Sequence, residues 1–177
     1  INIITKKAAD TQGALVSAGG GTFEHGFVGA RYGGKISENT AYRFYAKGFT
    51  RNQMKSITGE PTHDAWHSTR GGFRVDHQRG IDQLTVQGDI FYNSMGNALD
   101  KSQLSAPIIQ ADVARGHSEG GNIRFRWDRT FSDQSAIMFQ TYYDRVDYRL
   151  SNLTQFRAES FDVDFQHRFS LLDRHDF

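Results

Sequence analysis

Residues 121–150, GNIRFRWDRTFSDQSAIMFQTYYDRVDYRL, decide the fold of this chain. Ile123, Phe125 and Trp127 alternate with polar and charged side chains, and a period of two predicts a β-strand. The alternation resumes after the polar residues 132–134. Two long strands joined by a tight polar turn predict a β-hairpin.

The register of this hairpin follows from the length of its turn. A turn of three residues places Phe131 opposite Ser135, which predicts an apolar face and an ionic face. A soluble sandwich buries its apolar face, whereas a membrane barrel turns that face toward lipid, so alternation alone does not choose between them. The predicted cross-strand pairs are Trp127 with Phe139, Phe125 with Thr141, Ile123 with Tyr143, Arg126 with Gln140, Arg124 with Tyr142, and Asn122 with Asp144.

Composition favours one all-β domain. The chain has 177 residues, of which 37% are hydrophobic and 13% aromatic, and its mean hydropathy is −0.60. No run approaches the ~20 apolar residues of a spanning helix. Eighteen glycines and no amphipathic helical stripe also favour strands.

Charge and cysteine content narrow the functional classes. With 21 basic and 20 acidic residues the formal charge is +1, which gives no broad basic surface for nucleic acid. Without cysteine there is no disulfide framework and no thiolate metal site. The chain begins at Ile1 without a signal peptide, so we expect it to be part of a longer protein.

The alternation predicts about eight strands in an antiparallel up-and-down meander. Short turns are expected at residues 37–40, 79–82 and 132–134, and longer connections at 54–69, 94–119 and, more modestly, 150–156. Both prolines fall in these long loops, as a backbone ladder requires. Short and long ends therefore alternate, which is typical of outer-membrane barrels and not of Greek-key sandwiches. The predicted strands are 12–21, 24–36, 41–53, 70–78, 83–93, the two arms of the hairpin, and 156–172.

The first 51 residues also resemble a known family. INIITKKA at 1–8, which predicts a short strand over residues 1–6, and TQGALVSAGGGTFEHGFVGARYGGKISENTAYRFYAKGFTR at 11–51 resemble the plug-to-barrel junction and first strands of TonB-dependent outer-membrane receptors. Further on the resemblance is one of pattern, as in DQLTVQGDIFY at 82–92. It implies that residues 1–10 end the plug domain and linker, and that residues 11–177 are the first eight strands of a 22-stranded transmembrane β-barrel.

The resemblance implies a function for the parent protein. Such receptors lie in the outer membrane of Gram-negative bacteria and import a scarce nutrient, such as an iron–siderophore complex, with energy delivered through TonB. The expected partners are outer-membrane lipid, the plug domain, the remaining barrel strands, TonB and a ferric siderophore or similar ligand. The plug, the TonB box and the later strands are absent from this sequence. The alternative is a stand-alone eight-stranded barrel that binds a small ligand.

The candidate ligand-binding residues are Arg51, Trp66 and Arg70. Loops and upper inward positions of such receptors contact ligand as a class, and these residues are expected there. Trp127 is instead expected in the aromatic belt at the membrane interface. One parity of the strands is expected to face lipid: Ile123, Phe125, Phe139, Phe161, Val163 and Phe165.

No motif indicates catalysis or a cofactor. His63, Asp64 and His67 lie close together, and two histidines four apart suit a metal on a helix, but no helix is predicted there, so we expect a solvated loop. Asp162 and Asp164 share a strand face, where we expect them to pair with arginines of the neighbouring strand. The GxSxG, HExxH and P-loop patterns are absent, so the chain is not expected to be an enzyme.

Overall fold

A computed structural model describes residues 5–102, 109–151, 153–171 and 175–176. These residues form an all-β antiparallel meander in which every strand pairs with the next one along the chain. Apart from one 3-10 turn at Ala9–Thr11, they are strands and connections. The strands are β1 (Gly13–Gly19), β2 (Gly26–Ser37), β3 (Thr40–Arg51), β4 (Trp66–Arg79), β5 (Asp82–Ser102), β6 (Ile109–Ser132), β7 (Ser135–Leu150), β8 (Thr154–Leu171) and β9 (His175–Asp176).

The predicted meander of about eight strands is confirmed. Eight long strands are followed by the two-residue β9, which pairs with the end of β8. The sheet is open, because β1 and β8 pair only with their neighbours in chain order within the described residues. Among those residues, no helix has the length and apolar character needed to cross a membrane.

The register of the central hairpin is confirmed, but its turn is not. All six predicted pairs, including Trp127 with Phe139, are cross-strand partners. Near the turn, however, Thr130 pairs with Ala136 while Ser132 pairs with Ser135, so Phe131 is a β-bulge. A two-residue turn matches the twist of the strands better than a flat three-residue loop, and the bulge absorbs the extra residue.

The three longer connections predicted between strands are shorter in the structure. Residues 94–119 were expected to be a loop, but β5 and β6 continue pairing as far as Ser102 and Ile109. The connection at 150–156 is also shorter, since Leu150 pairs with Thr154, and the loop at 54–69 ends where β4 begins at Trp66. Pro61 forms an isolated bridge with Lys55 within that loop, and Pro107 lies outside the described residues.

The predicted asymmetry between the two ends of the sheet remains. At one end, called the turn end, residues 38–39, 80–81 and 133–134 connect the strands in pairs. At the opposite loop end, the connections that lie wholly within the described residues are 20–25 and 52–65. All three connections at the turn end have two residues, whereas those at the loop end are longer and differ in length.

The register sorts side chains into two faces, since directly paired residues point to the same side of a sheet. We call them the apolar face and the polar face. One transverse row of the apolar face reads Tyr42, Val75, Val86, Phe125, Thr141 and Val163 from β3 to β8. The adjacent row of the polar face reads Arg43, Arg74, Gln87, Arg124, Tyr142 and Asp162.

Burial on these two faces is the reverse of that in a soluble protein. Phe161 on the apolar face is 72% exposed, whereas Arg74 on the polar face is 8% exposed. Among the described residues, the buried hydrophobic side chains are three alanines, Ala8, Ala41 and Ala114. The chain exposes 12707 Å², against about 8,700 Å² for a compact monomer of 20.0 kDa. The excess of roughly 4,000 Å² is too large for the monomer to be a conventional globular domain.

Residues 5–11 pack against the polar face near the turn end. The Ala8 backbone N–H donates to Asp76 Oδ2 at 2.6 Å, and Arg74 Nη1 donates to Thr5 Oγ1 at 2.9 Å. Arg43 Nη1 reaches the Lys6 carbonyl at 3.1 Å. The strand expected over residues 1–6 is not formed by its last two residues, and its first four lie outside the described residues.

Candidate functional site

The three predicted ligand-binding residues lie on the polar face toward the loop end. Arg51 ends β3 and Trp66 begins β4, and the two are direct cross-strand partners. Arg70 lies four residues further along β4 on the same face. The structure therefore brings together residues that are up to 19 positions apart in sequence.

Arg51 is enclosed by aromatic rings and a carboxylate. Its guanidinium carbon lies 4.7 Å from the Phe49 ring centroid and 5.1 Å from that of Trp66. The two rings meet edge to face, with centroids 5.5 Å apart. Glu24, from the connection between β1 and β2, accepts from Arg51 Nη2 at 3.3 Å. These contacts fix the guanidinium through cation–π attraction and an ion pair.

Arg70 repeats this arrangement one strand further. Its guanidinium carbon lies 5.4 Å from the Phe91 centroid, and its Nε lies 3.5 Å from Asp89 Oδ1. On its other side the cross-strand partner of Arg70 is Lys47. Like charges that face each other across two strands destabilise a sheet. Such a pair favours an anion that lies between the two side chains.

The surface defined by Phe49, Arg51, Trp66, Arg70 and Phe91 is called the arginine–aromatic surface below. Its cations and aromatic rings suit a planar or aromatic anion, because a guanidinium can donate in plane while a ring stacks on the ligand. The side chains of Arg51 and Arg70 are 34% and 44% exposed, so both remain accessible.

Sequence reasoning missed two members of this surface, Phe49 and Phe91, and the ion-pair partners Asp89 and Glu24. Phe49 lies two residues before Arg51, so the period of two could have placed it on the same face. Phe91 and Asp89 needed the register between β4 and β5. Glu24 belongs to a connection that no periodicity positions.

The structure does not assemble a metal site from His63, Asp64 and His67. Asp64 accepts from the Met54 backbone N–H at 2.8 Å and from the Thr62 hydroxyl. The Thr62 hydroxyl, followed by the Met54 N–H, lowers the pKa of Asp64. His67 is a strand residue on the apolar face. Over the described ranges, no group of three or more His, Cys, Asp or Glu residues is arranged to hold a metal.

The arginine partners expected for Asp162 and Asp164 are wrong. The cross-strand partners of these carboxylates on β7 are Tyr142 and Gln140, because the arginines of β6 lie one strand further away. Asp164 accepts from Gln166 Nε2 at 3.0 Å on its own strand.

Trp127 lies on the apolar face near the turn end. Its indole Nε1 donates to Asp82 Oδ1 at 2.8 Å, and Arg129 donates to the same carboxylate at 2.8 Å. The ring is thus apolar on its faces and bound to a polar group at its edge, which is the arrangement that an interfacial tryptophan adopts. Its place in an aromatic belt remains a prediction.

Three comparisons with known proteins found no relative of this chain. No protein-family model, no curated protein and no solved structure matches the chain.

Proposed function

We propose that this chain forms part of the barrel wall of a TonB-dependent receptor in the outer membrane of a Gram-negative bacterium. In this proposal the apolar face contacts lipid and the polar face lines the interior. The observation that carries the proposal is the reversed burial of the two faces. Large apolar side chains such as Phe161 and Ile90 are exposed, whereas Arg74 and Thr85 are buried.

The height of the apolar face supports the proposal. On β5 it extends from Leu84 to Tyr92, which is about 27 Å of strand. Polar contacts bound it at both ends, with Asp82 and Arg129 at the turn end and Asp147 at the loop end. A lipid-facing band of a membrane barrel is about 25 Å tall, and tilted strands cross it obliquely.

The two ends of the sheet support the same orientation. Two-residue turns at one end and longer connections at the other correspond to the periplasmic and external ends of an outer-membrane barrel. A stand-alone eight-stranded barrel would need β1 to pair with β8, and these strands do not pair in the described residues. The open edges instead suit a wall that continues with further strands.

We further propose that the arginine–aromatic surface contacts the imported nutrient. Arg51 and Arg70 supply positive charge and Trp66 supplies a stacking surface, which together suit an anionic complex such as a ferric siderophore. The resemblance of residues 1–51 to the plug-to-barrel junction supports the proposal that transport is energised through TonB. In this proposal the chain performs no catalysis.

The two tryptophans of the chain make the proposal testable. Trp127→Phe leaves Trp66 as the only tryptophan, and its fluorescence should be quenched by ferric tris(catecholate), a small anionic iron complex. Trp66→Phe leaves Trp127, which should be quenched by brominated phosphatidylcholine in vesicles but poorly by aqueous iodide. Iodide quenching of Trp127 equal to that of free tryptophan would reject the membrane position. Equal quenching of the Trp66 reporter by the iron-free catechol would reject iron-complex recognition.

A further inference from the structure

A buried carboxylate on the apolar-face side of β7 orients two arginines. Asp147 has a side chain only 7% exposed. Arg145 Nε donates to Asp147 Oδ2 at 2.8 Å, and Arg157 Nε donates to Asp147 Oδ1 at 2.6 Å. Each carboxylate oxygen therefore holds one guanidinium group.

Both arginines keep most of their donors available. They bind Asp147 through Nε, and their Nη groups have no hydrogen bond within the part of the chain that the structure describes. Glu159, the cross-strand partner of Arg145, forms a longer ion pair with it at 3.9 Å from Nε and accepts no hydrogen bond there. The side chains of Arg145 and Arg157 are 43% and 50% exposed. Two fixed guanidinium forks with free Nη groups suit the tetrahedral oxygens of a phosphate.

The position of this pair indicates the source of the phosphate. On β7 the same face carries Tyr143 two residues before Arg145, and on β8 it carries Phe161 four residues after Arg157. The arginines thus lie at the point where the apolar face ends, on the loop-end side. A molecule whose anionic group binds there would place any attached acyl chains along the exposed apolar side chains.

The neighbouring groups limit the size of the anion. A cavity of about 240 Å³ shares Asp147 with the pair, and its other lining residues are Tyr92, His117, Glu119 and Arg149. The Tyr92 hydroxyl and His117 Nδ1 lie 2.8 Å apart, so these two groups satisfy each other. Glu119 and Glu159, the cross-strand partners of Asp147 and Arg145, would repel an extended polyanion, so the site fits a single compact phosphate group better than a nucleic acid or an acidic polypeptide.

We propose that Arg145 and Arg157, oriented by Asp147, bind the phosphate of a membrane lipid headgroup. This inference rests on the proposed membrane position of the apolar face. It assigns the outward loop end of β7 and β8 to lipid recognition, separately from the arginine–aromatic surface on the opposite face. Arg145 and Arg157 contact the phosphate, and Asp147 is a positioning residue.

The test compares two short-chain lipids on the full chain folded in a non-ionic detergent. Dihexanoyl phosphatidic acid should bind about tenfold more tightly than dihexanoyl phosphatidylcholine by calorimetry, because its phosphate monoester exposes more acceptor oxygens. Arg145→Gln with Arg157→Gln should abolish this preference. Arg126→Gln is the matched control, because Arg126 binds Asp128 with the same Arg–Asp spacing on the polar face. Asp147→Asn should weaken the preference while leaving both arginines present.

Specific outcomes overturn the inference. An unchanged preference in the double variant does so, as does complete displacement of the lipid by an equal concentration of inorganic phosphate, which indicates a site for free anions. If the double variant does not fold, Arg157→Gln alone decides the matter, since it leaves the contact between Arg145 and Asp147. Quenching of Trp127 by brominated phosphatidylcholine tests the membrane position separately, so its success without a headgroup preference rejects only this inference.

Discussion

Arg51 and Trp66 face each other across β3 and β4, with the guanidinium carbon 5.1 Å from the indole centroid. Arg129 and Trp127 form a similar pair at the turn end of the apolar face, 5.4 Å apart. Each arginine also binds a carboxylate, Glu24 for Arg51 and Asp82 for Arg129. The chain therefore contains two chemically similar pairs on opposite faces, and only the first is proposed to meet a ligand.

This similarity provides a matched comparison. Arg51→Ala should weaken the binding of ferric tris(catecholate) by about 1 kcal/mol, because it removes a cation and the cation–π contact that orients Trp66. Arg129→Ala should leave that binding unchanged. Titration of the iron complex against intrinsic fluorescence measures both variants, and an equal loss in the two would contradict a specific role for the arginine–aromatic surface.

The contact between residues 5–11 and the polar face should depend on Asp76. Asp76→Asn removes the charge that receives the Ala8 N–H and the Arg74 guanidinium. Because the chain has no cysteine, Ala8→Cys supplies a single reporter for maleimide labelling. Asp76→Asn should accelerate labelling about tenfold, since a hydrogen bond to a charged group contributes about 1.5–3 kcal/mol.

The control for this experiment is Asp128→Asn, which alters the corresponding Arg–Asp pair on β6. Asp128 binds Arg126, and no hydrogen bond joins it to residues 5–11 in the described structure. Labelling of residue 8 should not change in this variant. Equal acceleration by both substitutions would show that the segment responds to general loss of stability and not to Asp76.

Acid should loosen the connection between β3 and β4. The Thr62 hydroxyl and the Met54 N–H lower the pKa of Asp64, so the carboxylate stabilises this connection above the ordinary carboxyl pKa. That stabilisation is lost as the pH falls through the lowered pKa. The Met54 amide resonance should shift over this acidic range in the wild type but not in Asp64→Asn. A Met54 resonance that titrates identically in Asp64→Asn would contradict the assignment. Glu60→Gln, which removes another carboxylate of the same connection, is the control and should leave the Met54 titration unchanged.

Substitution on the two faces should have unequal costs in a membrane. Phe125→Arg places a charge on the apolar face and should destabilise a membrane-inserted barrel by about 2–4 kcal/mol near mid-membrane. Arg124→Phe on the polar face should cost less. Urea unfolding in phosphatidylcholine vesicles gives both values. Equal costs would mean that the two faces meet similar surroundings.

The sequence predicted the sheet best where one face is apolar. Trp127 and Phe139 were paired correctly because a one-residue slip would move every apolar side chain of the hairpin to the other face. Residues 94–102 and 109–119 were assigned to a long loop that carries Pro107. On β5, Met95, Ala98 and Leu99 do not follow a period of two, so the backbone ladder continues there without a periodic signal.

The sequence predicted three residues of the candidate site, but not the contacts that they make. Arg51, Trp66 and Arg70 suggested ligand contact from their chemistry and the family resemblance. Their contacts with Glu24 and Phe91 depend on the pairing of four strands and on one connection, which no local pattern specifies. The two-residue turn beside Phe131 was missed for a related reason, because a bulge changes the turn while preserving the register beyond it.

The central claim is that the apolar face contacts lipid while the polar face does not. Nitroxide labels at Arg124→Cys and Phe125→Cys test it most directly, because the two positions are adjacent in sequence and the chain has no other cysteine. In phosphatidylcholine vesicles, the label at 125 should be relaxed strongly by oxygen, which concentrates in lipid, and weakly by a water-soluble nickel chelate. The label at 124 should be relaxed less by oxygen. Equal oxygen relaxation at both positions, or stronger nickel relaxation at 125, would contradict the account.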